Sequence, residues 1–175
     1  MKKITSIIAI ITLSIAFSTT ASAQVTANAP TTATIVAPIA IAKNVDMYFG
    51  NVAVSSTAGT VLMTASATPT RTPSGGVTLP TTATGTPTAA KFTVTGEGVY
   101  TYAITLPASA LTLDESGVGT ATMTVNTFSS TPSATGTLTA GSQIVYVGAT
   151  LNVTGSQVAG LYANTTGFAV TVNYN

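Results

Sequence analysis

The chain has 175 residues, no cysteine and no histidine, and charged residues make up only 5% of it. That excludes disulfide stabilisation, Ser-His and Cys-His nucleophile pairs, and ordinary zinc or haem ligation. The formal charge of +1 belongs to the whole chain; without Lys2 and Lys3, three basic residues face four acidic ones, a net charge of −1, so no basic surface for nucleic acid or anionic lipid is expected.

Residues 1–23 read as a secretory signal peptide. Lys2 and Lys3 form a positive start, an apolar run extends from Ile7 to Phe17, and Ala21-Ser22-Ala23 supplies a small-x-small cleavage site. The run is short for a bilayer span and is broken by Ser18-Thr19-Thr20. With no cysteine to carry a lipid, the expectation is export through the Sec pathway, with the membrane involved only in export and a mature start at Gln24. What remains is long enough for one domain that buries roughly 70% of its unfolded surface. Low charge signals disorder only when hydrophobicity is also low, and here it is 45%. The Thr- and Val-rich composition, without helical periodicity after the leader, predicts an all-β fold.

The stretch 24–34 alternates weakly, with Val25, Ala27, Ala29 and Ala33 on one parity and Pro30 interrupting. This suits an edge strand or an unpaired arm. From 35 onward a single β-sandwich domain is expected to run to 175. Ile35, Ala37, Ile39 and Ile41 share one face of its first strand. A second short strand pair is predicted over 46–54, broken at Gly50-Asn51, and a short strand over 60–64. The stretch 66–88 mixes Thr and Pro with Gly75-Gly76 and Gly85, and reads as a long loop or a ragged edge hairpin. Strands over 91–95 and 99–106 are expected to form a hairpin across Gly96-Glu97-Gly98, with Tyr100, Tyr102, Ile104 and Leu106 on one face.

Leu111 and Leu113 mark a short segment before the polar Asp114-Glu115-Ser116-Gly117. A strand over 120–127 then points Ala121, Met123 and Val125 inward. The run 143–153 is nearly continuously apolar around Gly148, as in a strand covered on both faces or kinked at the glycine. At the end of the chain Phe168, Val170, Val172 and Tyr174 alternate with Ala169, Thr171 and Asn173. A period of two marks a strand with one buried and one wet face. Seven to nine short strands with frequent turn signals indicate a sandwich or a barrel. A partner for the open side of the last strand is expected from an earlier strand or from a neighbouring molecule.

Several of these segments resemble one family. Ala37-Pro38-Ile39, Met47-Tyr48-Phe49-Gly50 and Phe92-Thr93-Val94-Thr95-Gly96 are among them, with the run from Val145 to Leu151, Gly160-Leu161-Tyr162 and Val170-Thr171-Val172-Asn173-Tyr174. Their order and spacing over about residues 30–175 resemble the secreted bacterial family catalogued as domain of unknown function 4402. The layout also looks like that of chaperone–usher pilin subunits, including the archaic, spore-coat-like type. Those are immunoglobulin-like antiparallel sandwiches lacking a final strand, with an N-terminal arm that completes the next subunit and a penultimate aromatic, which is Tyr174 here. Many pilins carry a disulfide that this chain lacks, and its arm is short and built of small residues.

The resemblance implies a non-enzymatic structural subunit. Its partners would be copies of itself or other pilus subunits, with a periplasmic chaperone and an outer-membrane usher. It would reside in the periplasm, at the cell surface or in an extracellular fimbria. The candidate donor arm is Val25, Ala27, Ala29 and Ala33, and the candidate assembly groove is Phe168, Val170, Val172 and Tyr174. No catalytic, metal or cofactor residues are expected. Asp114 and Glu115 are adjacent, so on an extended chain they point to opposite faces and cannot work as an acid–base pair. The glycine-rich stretches lack the helix or Lys-Ser/Thr of a phosphate cradle. Tyr100 and Tyr102 suit an aromatic sugar platform less well than core positions. Two readings compete: a self-contained secreted sandwich, and an outer-membrane barrel, for which aromatics at 6% without Trp are sparse.

Overall fold

The computed structural model describes residues 23–117 and 119–175. The signal-peptide reading falls on residues outside these, apart from Ala23. The chain divides into two units, Met1–Ile35 and Val36–Asn175. In the first, residues 23–35 carry no regular secondary structure and lie exposed, including the two large apolar side chains Val25 (91% exposed) and Ile35 (97%). The weak alternation of 24–34 is therefore not realised as a strand in this chain.

The second unit is all-β and antiparallel, with eleven strands and no helix among the described residues. They are β1 (Ala40–Val45), β2 (Ala53–Met63), β3 (Arg71–Thr78), β4 (Ala90–Thr95), β5 (Thr101–Thr105) and β6 (Leu111–Glu115), then β7 (Thr122–Thr131), β8 (Thr135–Thr137), β9 (Ser142–Val153), β10 (Tyr162–Ala163) and β11 (Thr171–Tyr174). An eight-stranded sheet runs in the order β1-β4-β9-β7-β6-β10, with the β2–β3 hairpin also paired to β9. A three-stranded sheet, β11-β5-β8, forms the second layer.

The backbone of the larger sheet is β9, whose odd-numbered residues Val145, Val147, Ala149, Leu151 and Val153 are all buried on one face. Each such Val or Leu contributes roughly 1.5–3 kcal/mol on burial. β9 changes partners midway, with 142–147 on β4 and 150–153 on β2. Gly148 stands at the change, where a Cβ would run into the backbone of Met63–Ala65. The near-continuous apolar run thus reflects a strand approached by backbone on its second face.

Several expectations need correction. The Gly96-Glu97-Gly98 turn does not close a hairpin: β4 pairs with β1 and β9, while β5 pairs with β11 and β8. The turn instead carries the chain from one sheet to the other, because Phe92 and Val94 on β4 and Tyr102 and Ile104 on β5 bury against each other across the layers. The predicted strand pair over 46–54 is largely irregular, with one bridge between Tyr48 and Thr88, and β2 begins at Ala53. The stretch 66–88 does contain an edge strand, β3. Ile35 does not join the face of Ile39 and Ile41, which pack on the core.

Candidate assembly edge and groove

The terminal alternation from Phe168 resolves into two parts. Residues 164–170 cross between the sheets without joining either, and only Thr171–Tyr174 form the strand β11. Val172 is buried, and Phe168, Val170 and Tyr174 are half-buried against the same core. The ring of Phe168 lies 4.9 Å from Phe128 and 6.2 Å from Phe92, wedged where the two layers meet. The four side chains of the candidate groove therefore point into their own domain. What β11 presents outward is main chain.

The ladder shows which main-chain groups these are. β11 pairs with β5 alone, through Thr171↔Thr105, Val172↔Ile104, Asn173↔Ala103 and Tyr174↔Tyr102. Asn175 N–H donates to Thr101 C=O (3.2 Å), and Ile104 N–H donates away from β11 to Ala134 C=O (2.7 Å). Hydrogen-bonded and non-bonded pairs alternate in an antiparallel ladder, so Thr171 and Asn173 address β5. Val172 and Tyr174 aim their N–H and C=O groups at the open side.

The other sheet edges are blunted in ways that disfavour pairing. β3 carries Pro73 and the Gly75-Gly76 irregularity, and β1 has a register break between Lys43 and Val45. β8 is three residues long and β10 two. β11 has neither charge, proline nor bulge.

Next to the start of β11 lies a groove of about 1030 Å³. Its floor is the inner face of the larger sheet, including Leu111, Leu113, Met123, Val125, Leu151 and Val153. Residues 45–54 and 157–168 bound it, the latter ending at Phe168. The first boundary is anchored away from the groove: Tyr48 and Thr88 exchange two backbone bonds of 2.9 Å, and Arg71 Nη1 donates to the carbonyls of Phe49 (2.7 Å) and Asn51 (3.1 Å). The second is held by Ser116 N–H on Leu161 C=O (2.7 Å) and Asn164 Nδ2 on Thr112 C=O (2.8 Å). Val158 (56% exposed) and Leu161 (62%) leave its rim apolar. The charged side chains lining it are Lys43 and Asp46, which pair with each other.

A family model with the description "Domain of unknown function (DUF4402)" matches residues 39–174. The chain belongs to that family. No curated protein and no solved structure matches it. The matched span opens at Ile39, beside β1, and closes on Tyr174, so the unpaired β11 edge and the groove fall within the family domain while the candidate arm, Val25 to Ala33, lies before it.

The remaining candidates behave as core and surface. Tyr102 is fully buried, its hydroxyl donating to Gln143 Oε1 (2.7 Å), and burial pushes its ionisation above the ordinary tyrosine value. Tyr100 is half-exposed and lies 5.6 Å from the ring of Tyr174. Asp114 and Glu115 alternate in β6, one exposed and one half-buried. Sequence reasoning did not single out the 45–54 and 157–168 boundaries. Their signal was the irregular Gly/Asn punctuation at Gly50-Asn51 and Gly160, next to apolar residues with no strand partner.

Proposed function

We propose that this protein is a non-enzymatic, exported structural subunit. In this reading it assembles by accepting a strand from a second copy along β11 and in the adjoining groove. The observation that carries the proposal is the unpaired main-chain edge at Val172 and Tyr174, in a fold whose other edges are blunted. β-Augmentation draws its affinity from main-chain bonds and its specificity from alternate side chains.

The occupant is the arm of a neighbouring copy. It carries no regular secondary structure, is uncharged from Gln24 to Ile35, and has Val25 and Ile35 exposed. An uncharged arm matches a groove whose charged lining, among the described residues, is the Lys43–Asp46 pair. A donor patch and an acceptor patch on different parts of one chain make a head-to-tail contact that propagates into a filament. On this reading the protein resides in the periplasm and then in a cell-surface fimbria, and a chaperone and an usher would shield the edge before assembly.

Light scattering and electron microscopy of the purified exported protein test this. The wild-type chain should self-associate in a concentration-dependent way. Ala27→Pro, which removes a donor from the arm, should weaken association while leaving far-ultraviolet circular dichroism unchanged. A wild-type protein that stays monomeric at every concentration and ignores a synthetic copy of residues 24–35 would make the self-contained sandwich the correct reading.

A further inference from the structure

The cleft between 36–54 and 157–174 is wide at one end and shut at the other. Two contacts give its direction. Tyr174 reaches Ala37, while Phe168 packs on Phe92, which stands opposite Lys43 in the β1–β4 ladder. The two segments therefore run antiparallel. The groove opens where 45–54 and 157–168 bound it, and the cleft closes towards Ala37 and Tyr174. Where β1 and β11 pass each other, Cα atoms of the two strands come within 8 Å. A strand inserted between two neighbours needs about 4.8 Å on each side, roughly 9.6 Å in all. At its closed end the cleft is too narrow for a strand.

Three hydrogen bonds hold that end shut. The Tyr174 hydroxyl accepts from Glu97 N–H (2.7 Å) and donates to Ala37 C=O (2.9 Å). Glu97 Oε2 accepts from Ala37 N–H (3.2 Å). Both main-chain groups of Ala37 are thus engaged, one by the last strand and one by the inter-sheet turn. Gly96 allows the approach, since a Cβ there would run into the Tyr174 hydroxyl. The Tyr100 ring backs Tyr174 at 5.6 Å.

We propose that the Ala37–Glu97–Tyr174 clasp is a gate on the acceptor edge. It holds the lead into β1 against β11, and an entering strand must break it to extend past the wide groove. Tyr174 and Glu97 are positioning residues in this scheme. Ala37 lies two residues after Ile35, at the root of the arm, so opening the acceptor edge also frees the root of the chain's own donor. The gate rests on the strand-acceptance reading.

The test uses the full exported chain and a labelled synthetic peptide copying residues 24–35, with association followed by stopped-flow fluorescence. Tyr174→Phe keeps the ring and removes the hydroxyl; Glu97→Ala removes the acceptor for Ala37 N–H. Glu97→Ala should bind the peptide about tenfold faster than wild type, the size of one lost hydrogen bond, and Tyr174→Phe, which loses two, should bind faster still. In the same variants the Ala37 and Glu97 amides should exchange faster with solvent. Equal association rates in the presence of faster local exchange would overturn the gate and leave strand acceptance standing. Failure of the wild type and both variants to bind would overturn strand acceptance, and the gate with it.

Discussion

One face of the larger sheet is buried twice, by different means. Over Val145 and Val147 it is covered by the three-stranded sheet, and Tyr102, Leu138 and Val94 are sealed beneath. Over Leu151 and Val153 it is covered by the irregular segments 45–54 and 157–168, and a groove of about 1030 Å³ remains. The alternating pattern on β9 is the same in both halves. The difference therefore lies in what covers the sheet: a hydrogen-bonded layer closes over apolar side chains, whereas segments tied down at a few points leave an open groove.

The largest effect should come from the sealed half. Tyr102→Ala removes a fully buried ring and should cost about 3–5 kcal/mol, read from the urea unfolding midpoint. Leu151→Ala in the groove half should cost about 2 kcal/mol, the low end for such truncations, because the vacated space adjoins an open groove. Equal losses would mean that the two halves are sealed alike.

Gly96→Ala probes the closed end of the cleft. The added methyl meets the Tyr174 hydroxyl and Leu138, so a loss of about 1–3 kcal/mol is expected, with faster exchange at Glu97.

The smallest effect belongs to the hydroxyl of Tyr102. Tyr102→Phe should cost about 0.5–1.5 kcal/mol, because Gln143 Oε1 keeps its bond from Thr137 N–H (2.9 Å) and is not orphaned. It should also alter the alkaline limb of stability. Desolvation raises the folded ionisation of Tyr102 above 10.0, so the unfolded chain loses its proton first. The contribution of this group is complete below pH 10 and is lost as pH rises from there through the raised folded value. Urea midpoints between pH 8 and 11 should fall less steeply for Tyr102→Phe than for wild type.

The strands legible in the sequence were those with clear alternation. Tyr102-Ile104 and Met123-Val125 fall on the buried parities expected, although Tyr100, expected on the face of Tyr102, is half-exposed; the run 143–153 is a strand as expected, but its near-continuous apolarity marked no single buried parity. Pairing was not legible. The Gly96-Glu97-Gly98 turn has hairpin chemistry, yet it joins two layers, with Phe92 and Val94 of β4 and Tyr102 and Ile104 of β5 sharing one buried core. β8 was hidden in a Ser/Thr/Pro/Gly stretch, since a three-residue strand around Gly136 leaves no periodicity. At the candidate site, alternation put Phe168, Val170, Val172 and Tyr174 on one buried face, and those side chains do face the core. Which main-chain groups stay unpaired was not legible, because that depends on which partner β11 chooses. The clasp was invisible for a similar reason: it joins residues 37, 97 and 174, and no local pattern records such separations.

The central claim is that Val172 and Tyr174 offer main-chain groups to an incoming strand. Residue-resolved amide exchange by nuclear magnetic resonance tests it directly, on the isolated exported subunit and again with the peptide copying residues 24–35. In the free subunit, Thr171 and Asn173 amides should be protected by β5 while those of Val172 and Tyr174 exchange quickly. Adding the peptide should slow Val172 and Tyr174 selectively. Protection of all four in the free subunit, or fast exchange at Val172 and Tyr174 with the peptide at saturation, would contradict the account.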